Sequence, residues 1–596
     1  MKKIPGVSGV SRRDFLHASM VAGAGVSLTG AQAVAQQDQA LSSAERSVFD
    51  EATIAQLQAA MNAGRTSAVE LTNHYLNRIL AIDENGPHLN SVIEINPDAL
   101  ELAHAADALR RRGRVLGPLH GIPVLLKDNI DTGDRMQTSA GSFALVGRPA
   151  LRDATVAAKL RAGGAVILGK TNLSEWANFR SFHSTSGWSG RGGQCNNPYA
   201  IDRNPCGSSS GSGAAVSANL CVVALASETD GSIVCPSSLN GVVGLKPTVG
   251  LTSRAGVVPI SHIQDTIGPH ARTVADAAAV LTVIASQTFD GRDAATGGVP
   301  LGRRGVSTRP SLPTDYTRFV NQDGLRGARI GTTRQGIDGV SPDVAALFDT
   351  ALEAMAAAGA VLVDLDAAPF TFPPGDGEFL VLTYDFKIDL KSYFATRAGV
   401  PMAGKTLADA IDFNNADAAR EMPYFDQEIF ELAESIDVSS PNAPQPAFGG
   451  MTYNQALDID QAAGATNGID AALSRFNVNA IATPTGTPAW TTDLINGDHF
   501  QFATSGLAAI VGYPIIDVPM GNVFGLPVGL SFIGTAFSEP TLIRLASGFE
   551  RVMRARIVPQ LFRTLPLSNI NGVPLRRRTG GHGHDHASRR RRPHSM

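Results

Sequence analysis

Between residues 122 and 225 the chain alternates short, wholly apolar runs with helix signals, and this pattern limits the folds open to it. Ile122 to Leu126 is too short for a stable helix and has no polar face, which fits a strand covered on both sides. A helix is expected from about Ala154 to Arg161, with Asp153 as its cap and Gly163-Gly164 as its stop. Ala165 to Leu168 then reads as a second buried strand. An apolar helix at Ala214 to Leu220 leads into a third strand at Val222 to Leu225. Strand and helix in alternation predict an α/β architecture.

Similar signals recur downstream. Ser341-Pro342 is a helix start, and Val344, Leu347, Phe348, Ala351, Leu352 and Met355 form one apolar stripe. Gly359 ends the helix before a strand at Ala360 to Leu365. Further strands are expected at Ala480 to Pro484, Ile515 to Pro519 and Gly525 to Leu530, and one sheet can collect them all. Residues 36–110 read as mostly helical. Residues 366–470 read as a helical, loop-rich insertion carrying Tyr384, Phe386, Tyr393, Phe394, Tyr424 and Phe425. That insertion either shapes a substrate pocket or forms a cap with an ordinary core.

The two ends differ from this body. Ser11-Arg12-Arg13-Asp14-Phe15-Leu16 precedes a weakly apolar run from Ala18 to Ala31 and an Ala33-x-Ala35 site. Residues 1–35 therefore read as a twin-arginine export signal, with a mature start near Gln36, a periplasmic or secreted location and the twin-arginine translocation machinery as partner. The bland alternative is a short apolar helix after a chance Arg-Arg pair. No other stretch approaches the roughly 20 apolar residues of a membrane span, so no stable membrane insertion of the mature chain is expected. Residues 36–570 read as a single domain. Residues 571–596, rich in arginine with His582, His584 and His586, read as a disordered tail, either solvated or suited to a metal or an anionic surface. A net charge of -4 gives no general attraction to nucleic acid.

Cys195, Cys206, Cys221 and Cys235 are too few for a disulfide scaffold and lack Cys-x-x-Cys spacing. They serve packing or one disulfide, and the three possible full pairings stay open. Cys206 and Cys235 flank two serine-bearing segments, so oxidation there is expected to affect whatever those serines do.

The first of these segments is Pro205 to Gly213 and the second is Glu228 to Ile233; both follow Lys127, a lone lysine ending an apolar strand. Burying a lysine disfavours its charge and turns it into a neutral base, and serine hydroxyls are nucleophiles such a base activates. A linker does not fit the serine-rich segment, because an apolar helix follows it. A phosphate loop does not fit, because no lysine follows Gly211 or Gly213. Gly207-Ser208-Ser209-Ser210-Gly211 matches the Gly-x-Ser-x-Gly elbow with Ser209 as nucleophile, yet the preceding Asp202 to Pro205 is polar rather than an apolar strand. The elbow also needs a later histidine, and His262, His270 and His499 stand in no recognisable setting.

Ser232 is better placed. It follows a buried strand through the turn Thr229-Asp230-Gly231, where backbone N–H groups can face a developing oxyanion. Read alone it is a serine satisfying its own turn; Lys127 and Ser208 together give it chemistry.

The ordered set Gly117 to Asn129, Lys170 to Glu175, the serine-rich loop, Gly241 to Thr248, Gly512-Tyr513-Pro514 and Gly525 to Leu530 resembles the amidase signature family over residues 50 to 560. The resemblance implies a large mixed β-sheet core flanked on both faces by helices, amide hydrolysis without a cofactor or metal, and a Ser-cisSer-Lys unit. By position, Ser232 is the nucleophile, Ser208 the bridging serine and Lys127 the base. The N–H groups of Thr229, Asp230, Gly231 and Ser232 form the oxyanion hole, with Gly207 and Ser209 supporting the loop.

Ser184 to Gln194 and Glu228 to Pro236 look most like the bacterial peptide amidases, which implies a peptide amide substrate near Ser184, Ser186 and Trp188. Cys206, Ser210 and Asp230 stand where glycine is usual in the family. Small aliphatic or aryl amides are the alternative substrates, and a catalytically silent small-molecule binding protein is the alternative class. A glutamyl-tRNA amidotransferase component shares this unit, but the export signal opposes it. Chelator-resistant activity that falls in acid is expected.

Overall fold

The computed structural model describes residues 47–297, 310–337, 339–367 and 370–565; the export signal and the Arg/His-rich tail expected from the sequence lie outside the described residues. Its strands are β1 Val92–Ile95, β2 Pro123–Lys127, β3 Val166–Thr171, β4 Trp188–Ser189, β5 Gly193–Gln194, β6 Val223–Glu228, β7 Val243–Lys246 and β8 Thr266–Ala271. They continue with β9 Arg329–Thr332, β10 Val361–Asp364, β11 Ala480–Pro484, β12 Ile515–Val523 and β13 Leu526–Ile533. All but the β4–β5 hairpin join one 11-stranded sheet in the order β1-β3-β2-β6-β8-β7-β12-β13-β11-β9-β10.

The sheet is mixed. β2 runs parallel to β3 and β6, and β9 runs parallel to β10 and β11, while the strands between these groups pair antiparallel. Helices flank it, among them Ile54–Asn62, Val274–Ile284, Pro342–Ala357 and Glu539–Met553, whose buried faces share the main apolar core with β2, β3 and β6. The expected α/β fold with a mixed central sheet is the observed one. Among the described residues no helix is long and apolar enough to cross a membrane.

Two local expectations need correction. Asp153 does not cap the helix Thr155–Ala162, whose N-cap is Ala154 without a side-chain bond. Instead Asp153 accepts from the Gly133 N–H at 2.7 Å and from Nε of Arg161, in the last turn of the same helix, at 3.0 Å, so its carboxylate is taken. The helix expected from Ala214 begins at Ser210, because the end of the serine-rich loop supplies its first turn. Residues 36–110 are mostly helical where described, as expected, with β1 the exception, pairing with β3. The strand expected after Gly359 is present as β10, the outer edge of the sheet, and is partly buried.

Around residues 366–470 the helices Glu378–Phe394, Leu407–Ala416 and Glu428–Ser435 enclose a second apolar cluster. That cluster also takes in Trp176 and Phe179, which ties the helical region to the segment following β3.

Candidate active site

β2 and β6 are parallel neighbours, with Leu126 opposite Leu225, so their C-terminal ends open on the same side of the sheet. Ligands of α/β sheets gather at such strand ends. β2 delivers Lys127, and β6 delivers Ser227, Glu228 and the turn that leads to Ser232. The helix Ser210–Ser217 packs beside β2 and β6 and brings the serine-rich loop to the same place.

Three side chains named from the sequence meet there. Lys127 Nζ lies 2.8 Å from Ser208 Oγ, which lies 2.9 Å from Ser232 Oγ. The Gly207–Ser208 peptide bond is cis. Gly207 is required by space: a Cβ there would collide with Ser174 Oγ, Asn178 Oδ1 and Ser186 Oγ. Ser209, the nucleophile of the rejected elbow, is occupied otherwise, its Oγ donating to the Ser227 carbonyl at 2.9 Å.

Lys127 is fully buried, and burial lowers its pKa from 10.5 to about 7, against the opposing pull of Asp265 and Glu228. Both carboxyl groups are themselves buried, which raises their pKa values, Asp265 to about 6. Each also has a mechanical task. Glu228 Oε2 accepts from the Ile233 N–H at 2.6 Å and the Val234 N–H at 3.0 Å, closing the turn around Ser232. Asp265 accepts from Thr229 Oγ1 at 2.7 Å and the Ile260 N–H at 2.8 Å.

The turn is formed by Gly231 at φ 75, a left-handed conformation that suits glycine. Among the described residues, the N–H groups of Asp230, Gly231 and Ser232 bond to no protein acceptor. Asp230 is the one solvent-exposed residue from Ser208 to Ser253. The protein crowding its recess raises its pKa, while a hydrogen bond with Ser505 and the charge of Lys246 oppose that rise.

Two contributors were not named as site residues from the sequence. Ser227 accepts from Lys127 Nζ at 2.9 Å through its hydroxyl and at 3.2 Å through its carbonyl. Asn129 Nδ2 donates to the same hydroxyl at 2.9 Å. Ser227 sits on a strand with nothing to mark it, although the Lys127-Asp128-Asn129 run contains both of its partners.

Of the suggested substrate-binding residues, Ser186 stands close to Gly207, and all three are engaged with protein. Ser184 Oγ accepts from Asn178 Nδ2 at 2.8 Å, and Ser186 Oγ donates to Asp498 Oδ2 at 2.5 Å. Trp188 is buried edge-on against Phe425 and Tyr424, beneath the Arg180 guanidinium.

Of the three histidines, His270 is buried and pushed down to about 4, with Nε2 2.8 Å from the Ile233 carbonyl. His262 has a setting the sequence did not reveal. Its ring, Asp385 and Asp389 bring ligand-type atoms within 4.8 Å of one another. Those carboxylates already accept hydrogen bonds, Asp385 from Ser261 and Tyr453 and Asp389 from the His262 N–H and ring. The donors fit a self-satisfied His-Asp cluster better than an ion.

Comparison with known proteins identifies the family. The amidase family pattern matches residues 70–543. The solved native peptide amidase from Stenotrophomonas maltophilia is 46% identical and superposes with a TM-score of 0.77, covering 86% of this chain and 99% of its own. A probable amidase of Arabidopsis thaliana is 39% identical over 522 residues, spanning 86% of this chain and 92% of its own length. A putative amidase of Arthroderma benhamiae is 36% identical over 540 residues, spanning 87% of this chain and 84% of its own length. With the match covering most of its length and the sheet in place, this chain belongs to the amidase signature family and is an amide-bond hydrolase.

Proposed function

We propose that the chain deamidates C-terminal peptide amides, releasing the peptide acid and ammonia, through Lys127, Ser208 and Ser232. The reading rests on the unbroken line of contacts from Lys127 Nζ through Ser208 Oγ to Ser232 Oγ, at 2.8 and 2.9 Å. Neutral Lys127 takes the proton of Ser208, which takes that of Ser232 as its Oγ attacks the carboxamide carbon. The unbonded N–H groups of the Asp230 to Ser232 turn receive the negative charge that develops on the carbonyl oxygen. The proton returns through Ser208 to the leaving nitrogen, ammonia departs and an acyl-enzyme remains. Water, deprotonated along the same route, attacks the acyl carbon, and the peptide acid leaves from Ser232.

Likeness to the Stenotrophomonas maltophilia peptide amidase supports the peptide amide as substrate. The twin-arginine segment supports action outside the cytoplasm, by a mature domain spanning residues 36–570. The test is ammonia release from N-acetyl dipeptide amides beside simple aliphatic and aryl amides. Peptide amides are expected to turn over best, with Ser232→Ala lowering kcat at least about 10³-fold. Turnover of simple amides alone, or activity retained in Ser232→Ala, overturns the proposal.

A further inference from the structure

The structure forms one disulfide, Cys206–Cys235, rather than any full pairing of the four cysteines, and leaves Cys195 and Cys221 as buried thiols. The choice matters because of where the pair stands. Cys206 is two residues before Ser208, Cys235 is three after Ser232, and the closed loop contains both serines together with Ser209 and Ser227.

The remaining ties across the two segments are hydrogen bonds. Ser209 N–H donates to the Ser232 carbonyl at 3.3 Å, and Ser209 Oγ donates to the Ser227 carbonyl at 2.9 Å while accepting from the Ser227 N–H at 3.3 Å. Asn240 Nδ2 bridges the carbonyls of Pro205 and Pro236, the residues beside the two cysteines, at 2.8 and 2.7 Å. Cys206 itself adopts φ 58, a left-handed conformation costly for a residue with a Cβ, with its N–H donating to Asn204 Oδ1 at 2.7 Å and its carbonyl accepting from Ser210 Oγ at 2.6 Å. Its sulfur and that of Cys235 lie in an apolar pocket with Tyr199, Leu239, Trp490 and Leu526. Cys195 and Cys221 are wholly enclosed, and burial raises both thiols, Cys221 to about 12, which keeps them protonated and inert.

We propose that Cys206 and Cys235 are positioning residues for the hydrolysis, their disulfide holding Ser208 within proton-transfer distance of Ser232, so that turnover follows the redox state of this one pair. The inference rests on the Lys127–Ser208–Ser232 relay proposed above. Reduction by a dithiol passes two electrons and two protons to the pair, giving two thiols and the oxidised reductant. Asn240 keeps the segments together afterwards, so the site loosens while the fold persists.

The experiment uses the full chain, oxidised or treated with dithiothreitol, with thiols counted after denaturation. The reduced protein is expected to show kcat lowered about tenfold with KM changed less than twofold, and reoxidation to restore it. Cys206→Ser with Cys235→Ser should show the same kcat without reductant, which decides the matter if dithiothreitol cannot reach the pair. In a Ser208→Ala background, removing the pair should cost nothing further, because the contact it aligns is gone. Wild-type kcat in the double variant, or an equal loss in the Ser208→Ala background, overturns the inference. If the oxidised protein hydrolyses no amide, the proposed function fails instead, and Ser232 labelling by a fluorophosphonate then reads the same alignment.

Discussion

Two lysines on adjoining strands, Lys127 on β2 and Lys170 on β3, are both fully buried and one register step apart. Burial lowers the pKa of each, yet their surroundings differ. Lys170 Nζ donates to the Ile130 carbonyl at 2.7 Å and to Thr138 Oγ1 at 2.9 Å, with Asp128 and Asp131 nearby to favour its charge. Lys127 faces the hydroxyls of Ser208 and Ser227, and Asp265 and Glu228, both pushed toward their neutral forms, give it weaker support. The Thr138 hydroxyl beside Lys170 leads only to the Ile130 carbonyl, to which it donates at 3.3 Å, whereas the Ser208 hydroxyl beside Lys127 leads to Ser232 Oγ at 2.9 Å. Burial alone therefore does not make a base; the hydroxyl it faces must also lead on to a second hydroxyl.

The contrast can be broken by exchanging the losses. Lys127→Met is expected to lower kcat about 10³- to 10⁴-fold with little change in the urea midpoint. Lys170→Met should do the reverse, losing about 1–3 kcal/mol of stability as the buried Ile130 carbonyl and Thr138 hydroxyl lose their donor, while kcat per titrated active site stays within about threefold. A kcat collapse in Lys170→Met equal to that of Lys127→Met would remove the distinction.

The sign of the pH dependence sharpens it. Below about pH 7 Lys127 gains a proton and loses its lone pair, so activity should fall about tenfold per unit toward acid and level off above pH 7. A flat profile from about pH 5 to 9 would exclude Lys127 as base. The smallest effect is expected from Ser227→Ala, about a tenfold loss of kcat, since Lys127 and Asn129 lose a shared partner. Ser227→Thr keeps the hydroxyl and should recover most of it.

Much of the sheet was legible because its strands are continuous apolar runs: β2, β3, β6 and β11 to β13 all fall within a few residues of their expected places. β8 was not, because Gly268, Pro269 and His270 argue against a strand; it forms because β6 and β7 pair with it from either side. Strand order was also hidden, since β12 joins β7 across more than 260 residues of chain and no local pattern records that pairing. At the site, Lys127, Ser208 and Ser232 could be named because each sits in a motif with its own spacing. Ser227 could not, because its part depends on facing Lys127 Nζ in space. The cysteine pairing was likewise a question of distance between segments, which four scattered letters do not encode.

From Ser208 to Ser253 every residue but Asp230 is packed out of solvent. Change elsewhere in this stretch must repack a neighbour, whereas a different side chain at Asp230 alters charge two positions from Ser232 and displaces little. Asp230 is thus the place in this stretch where charge beside the serine can be changed with the least repacking of the core.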